Sequence, residues 1–134
     1  MGASYGTGAK GRATRLHSLI IRSIGECEKC GWQCGCPERP RKHTTGCRLQ
    51  CSHIITRKYS RVRTDLENAF CLCASCHSYF TDNPIEHGLW ALERMGAGTY
   101  DKLRQKAEAI DGQRMDWEVE LDRLKTIARN MGIT

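Results

Sequence analysis

All nine cysteines of this 134-residue chain lie between residues 27 and 76, and four of them form two CxxC pairs, Cys27 with Cys30 and Cys73 with Cys76. Thiols packed this densely either oxidise to disulfides or hold a metal, and either outcome staples distant segments together. The odd number argues against a complete internal disulfide set. The opening stretch "MGASYGTGAKGRATR" is Gly-rich and basic, without the apolar core of a secretory signal. The longest apolar run, "AFCLCA", is too short to span a bilayer. These features predict a cytoplasmic chain without membrane association, whose CxxC pairs bind zinc.

Two such pairs supply the four thiolates of a closed tetrahedral site. Gly31 directly follows Cys30, where a knuckle turn needs a small residue. A structural zinc contributes on the order of 10 kcal/mol of apparent folding free energy. A small core leaves only roughly 3–5 kcal/mol, and here aromatic residues are just 7% of the chain, so a staple has a clear physical use. Cys27, Cys30, Cys73 and Cys76 are thus the expected ligands of a structural zinc. For the rest, two readings stay open. Cys34, Cys36, Cys47 and Cys51 can form a second four-thiolate site, or they are buried small residues and exposed thiols. Cys71 alternates with Leu72 on a short strand.

Charge is unevenly spread. Residues 1–63 carry 13 Lys/Arg against 3 Asp/Glu, and residues 64–134 carry 8 against 12, so the net +6 divides into +10 and −4. The first half is a candidate polyanion-binding surface, and the second reads as solvated helix.

Residues 1–13 read as a flexible basic arm. Thr14 is placed to cap a helix carrying Leu16, Leu19, Ile20 and Ile24, ended by Gly25. The stretch "CEKCGWQCGCPERPRKHTTGC" is turn-rich. "LQCSHIIT" and "AFCLC" read as strands joined by a basic loop over 57–68, and a helix starts at Ala74. Asn83-Pro84 opens a further helix reaching Met95, with Gly96 and Gly98 ending it. Thr99 can cap the next helix. The last one bears an apolar stripe of Trp117, Leu121, Leu124, Ala128 and Met131, which predicts packing onto the domain or onto a second copy in a homodimer.

Between the strands lies the chemistry. His53 sits in the first strand, Asn68 precedes the second, and His77 follows Cys76 directly. The loop between them carries Arg57, Lys58, Arg61 and Arg63. Phosphodiester hydrolysis uses such parts. A near-neutral imidazole takes a proton from water, a divalent cation offsets the phosphate charge, and arginines hold flanking phosphates.

The pieces "CEKCG", "CSHII", "DLENAFCLCASCH" and "DNPIEHGLW" together resemble the HNH nuclease family, in particular its Rap/NinG-like recombination nucleases of tailed phages and prophages. The likeness covers about residues 15–105. It implies an α+β fold: a small zinc-stapled ββα-metal core over 14–98, with flanking N-terminal helix and a C-terminal helical extension over 99–134. It implies an endonuclease acting on double-stranded or branched DNA in a bacterial host cytoplasm. His53 would be the general base, Asn68 would fasten the loop that orients it, and His77 would bind a catalytic divalent ion such as Mg2+ or Mn2+. Arg57, Lys58, Arg61 and Arg63 would contact DNA. The sequence departs from the family at Ser52, where many members carry Asp or His as a second metal ligand. A hydroxyl is a poorer ligand than a carboxylate, and His87 is the candidate replacement. His43 is expected to contact phosphate or solvent, and His17 carries no motif. The alternatives are a non-catalytic zinc-dependent DNA-binding module, for which Ser52 argues, and a zinc-stapled protein-interaction domain, for which the acidic C-terminal helices argue.

Overall fold

The structure, a computed structural model, describes residues 7–33, 48–109 and 114–133. Among the described residues five α-helices pack with one two-stranded antiparallel sheet, an α+β arrangement. Helix α1 spans Ala9–Arg22, strand β1 Leu49–His53, strand β2 Ala69–Cys73, and helices α2 to α5 span Ala74–Asp82, Pro84–Met95, Ala97–Glu108 and Trp117–Asn130. Cys34, Cys36, Cys47 and His43 lie outside the described residues.

Strand β2 and the opening of α2 and α3 match the sequence reading, since each has a strong local signal. Pro84 occupies the first turn of α3, where its missing N–H is no loss, and Gly96 at φ +87° ends it. Helix α1 differs. It begins at Ala9, inside the expected flexible arm, and Thr14 lies within it. The Thr14 side chain is buried and its hydroxyl donates to the Lys10 carbonyl (2.8 Å). Tertiary burial of Ala13, Thr14 and His17 extends the helix past the local cap signal. Strand β1 stops at His53 rather than Thr56, because the chain leaves the ladder after the His53–Ala69 pair.

Two apolar clusters hold the elements. One joins Ile21 of α1 to Leu49, Phe70, Leu72, Phe80 of α2 and Ala91 of α3. Trp90 meets Phe70 edge-on, with centroids 4.7 Å apart. The other buries Leu121, Leu124 and Ala128 of α5 against Ala13 and Ile20 of α1. The middle of the C-terminal stripe, Leu121, Leu124 and Ala128, is therefore covered within the same chain, with Trp117 partly buried and Met131 exposed, and this closes α5 onto the N-terminal helix. Asp116 caps α5 by accepting from the Val119 N–H (3.2 Å), with Glu118 and Glu120 in the first turn and Arg129 in the last.

Leu124 is fully buried in this seam. Leu124→Ala is expected to destabilise the fold by about 2–4 kcal/mol, measured by urea unfolding, whereas Val119→Ala, on the exposed face of α5, should change little.

Candidate metal centre and the pinned histidine loop

The knuckle forms because Cys27 and Cys30 lie either side of a tight turn. The Gly31 N–H donates to the Cys27 carbonyl (2.8 Å), and Gly31 adopts φ +81°, a conformation costly for any residue with a Cβ. Backbone N–H groups also face sulfur, from Cys30 to Cys27 Sγ and from Cys76 to Cys73 Sγ, both at 3.5 Å. The second of these caps α2. The knuckle docks on β2 through Glu28, whose N–H donates to the Cys71 carbonyl (2.8 Å) and whose carboxylate accepts from the Cys71 N–H (2.7 Å).

This docking brings the two pairs together. Ligand atoms of Cys27, Cys30, Cys73 and Cys76 all lie within 4.8 Å of one another, and Cys30 Sγ is 3.8 Å from Cys73 Sγ. Burial opposes ionisation of Cys27, but N–H groups of Cys30, Cys73 and Lys29 outweigh it and hold its pKa at about 7. The Cys76 thiol is pushed far up, first by burial and then by the neighbouring thiols. Four crowded sulfurs cannot all ionise without a cation among them. Their number, arrangement and N–H contacts fit a tetrahedral ion such as zinc.

The loop after β1 is tied by Asn68, which is fully buried. Its Oδ1 accepts from the Ile55 N–H (2.7 Å), and its Nδ2 donates to the carbonyls of Ile55 and Val62 (2.9 Å each). Three bonds from one side chain close the segment 55–62 into a fixed loop. The loop in turn presents the Arg63 carbonyl to His53 Nε2 at 2.9 Å. Burial lowers the His53 pKa to about 4, so the imidazole is neutral near pH 7.

Alternation along β1 puts Cys51 and His53 on one face of the sheet and Gln50 and Ser52 on the other. His77 of α2 bonds through Nδ1 to Gln50 Oε1, while His53 packs beside His17 of α1, with ring centroids 5.2 Å apart. The two motif histidines thus have different neighbours. Ser52 is buried opposite Phe70. His87 stacks on Phe80 at 4.7 Å, and its pKa is lowered by burial and then by the charge of His77. Its Nε2 is buried without a hydrogen-bond partner among the described residues. Among the described residues His77 belongs to no group of three or more ligating side chains.

The basic loop divides its charges. The Arg63 guanidinium faces inward, donating to Thr14 Oγ1 (2.8 Å) and the Arg57 carbonyl (3.3 Å). Lys58 and Arg61 line an open cleft of about 540 Å³ with Tyr59, Arg114 and Trp117. Arg114, Gln50 and His17 carry no local motif, so only their positions in the fold draw attention to them, and Trp117 stands out in the sequence only as part of an apolar stripe. Compared with protein-family models, with curated proteins and with solved structures, the chain matches none.

Two outcomes check this geometry. Stripping metal with a strong chelator is expected to unfold the region around the knuckle, seen as loss of far-UV signal that returns on adding Zn2+; a chelated chain with an unchanged spectrum would rule out a metal staple. Asn68→Ala leaves three backbone groups without their partner and should cost about 2–4 kcal/mol by urea titration.

Proposed function

We propose that the chain is a metal-dependent HNH-type endonuclease that hydrolyses phosphodiester bonds in double-stranded or branched DNA. The pinned loop carries this reading. Asn68 fastens the backbone, and the Arg63 carbonyl fixes the His53 proton on Nε2, because a carbonyl can only accept. The lone pair is then on Nδ1, at the end of β1. In this reading Nδ1 takes a proton from water as the water oxygen attacks phosphorus and the bond to the leaving oxygen breaks. Burial keeps His53 neutral and so in the form that accepts a proton. Lys58 and Arg61, with Arg114 across the cleft, supply cations for flanking phosphates, and Trp117 and Tyr59 offer faces for stacking. His77 would hold a divalent ion through Nε2, since its Nδ1 serves Gln50. When bound, that ion would offset phosphate charge on the Gln50 face of β1, the face opposite His53.

A second reading, a non-catalytic zinc-dependent DNA-binding module, is favoured by Ser52. It is only 2% exposed, and no carboxylate stands beside His53 in its place.

Plasmid nicking with Mg2+, Mn2+ and Zn2+ separates the two. His53→Ala is expected to lose cleavage by roughly 100-fold or more while DNA affinity stays within a few-fold. Equal cleavage by both proteins would sink the mechanism. Salt-sensitive DNA binding without cleavage under any metal selects the second reading. The pH profile gives a further check. A base with a lowered pKa loses activity only where it gains its proton. The acidic limb of kcat/KM should therefore fall toward pH 4, not near the ordinary histidine value, over a range where the circular dichroism is unchanged.

A further inference from the structure

A second group of ligating atoms lies apart from both the four-cysteine cluster and His77. His17 of α1 and Cys51 and His53 of β1 each offer a ligand atom within 4.8 Å of the other two. His17 Nδ1 is 3.9 Å from Cys51 Sγ. Nitrogen and sulfur ligands on one tetrahedral zinc stand about 3.6 Å apart, so the group is close to ligating distance already.

The hydrogen bonds supply an independent observation. His17 Nε2 is 3.0 Å from the Asp65 carbonyl, and His53 Nε2 is 2.9 Å from the Arg63 carbonyl. Carbonyls only accept, so both rings carry their proton on Nε2 and keep a lone pair on Nδ1. Proteins commonly orient metal-binding imidazoles in this way, with the far N–H tied to a backbone carbonyl. Both carbonyls belong to the stretch that Asn68 and the Arg63–Thr14 bond hold in place, so the two rings are fixed before any ion arrives.

We propose that His17, Cys51 and His53 form a second metal site, selective for a borderline-soft divalent ion of the zinc class. Two imidazoles and a thiolate disfavour Mg2+ and Ca2+. Binding moves the Cys51 thiol proton to solvent and forms the sulfur–metal bond, with no change in oxidation state. His17 is fully buried, whereas Cys51 and His53 are partly exposed. Three protein ligands leave a fourth position for water or a substrate atom. The site stands without the nuclease reading but bears on it. An ion there takes the His53 lone pair, so occupancy and water activation by His53 exclude each other.

The test counts metal on the full chain after reconstitution with Zn2+ and with Co2+, and follows the nitrogen and sulfur ligands by X-ray absorption. Cys51→Ser and His17→Gln are each expected to bind one equivalent fewer than the wild type, with a reduced nitrogen contribution and an unchanged far-UV spectrum. His53→Gln gives the same readout should the buried His17→Gln chain fail to fold. An all-sulfur ligand shell in the wild type overturns the proposal. So does a metal count unaffected by either histidine substitution, which would assign any second ion to cysteines alone. None of these readouts uses cleavage, so they stand or fall separately from the nuclease reading.

Discussion

The rest of the structure depends on four sulfurs brought within reach of one ion. Cys27 and Cys30 come from a turn, Cys73 ends a strand, and Cys76 lies in the first turn of a helix. Burial first, and then the neighbouring thiols, oppose ionisation of Cys76. A cation held there would remove that cost and stiffen the junction of knuckle, strand and helix. Because Cys73 also caps α2, the same cluster fixes where that helix starts and hence where His77 lies.

The two-stranded sheet is small, yet it separates two chemical settings. Its α1 side carries His17, Cys51 and His53, and its other side carries Gln50, Ser52 and His77. The period of two along β1 dictates this division. Neighbouring sequence positions therefore serve different neighbourhoods, and Ser52 beside His53 is withdrawn into the core.

Polar side chains order the loop together with the buried Val62. Asn68 bonds to it from below, and Arg63 crosses to Thr14 on α1. Thr64 donates to Glu120, which Arg123 also holds, and this ties the loop to α5. Helix α5 closes on α1 through Leu121, Leu124 and Ala128, so α1 and α5 both support the same loop.

The sequence by itself determined the elements with strong local signals: the CxxC pairs, the Gly31 turn, strand β2, and the Pro84 and Gly96 limits of α3. A ligand pair or a cap is written within a few residues, whereas Asn68 and the loop it ties are pointed to only by the resemblance to the HNH family. Only the tertiary structure decided that α1 starts at Ala9, that the α5 stripe is covered by α1, and that Arg63 points inward. It alone set His53 beside His17, which lies 36 positions earlier. Such pairings depend on how helices cross a sheet, and neither hydrophobic period nor motif spacing encodes the side chain found across that gap.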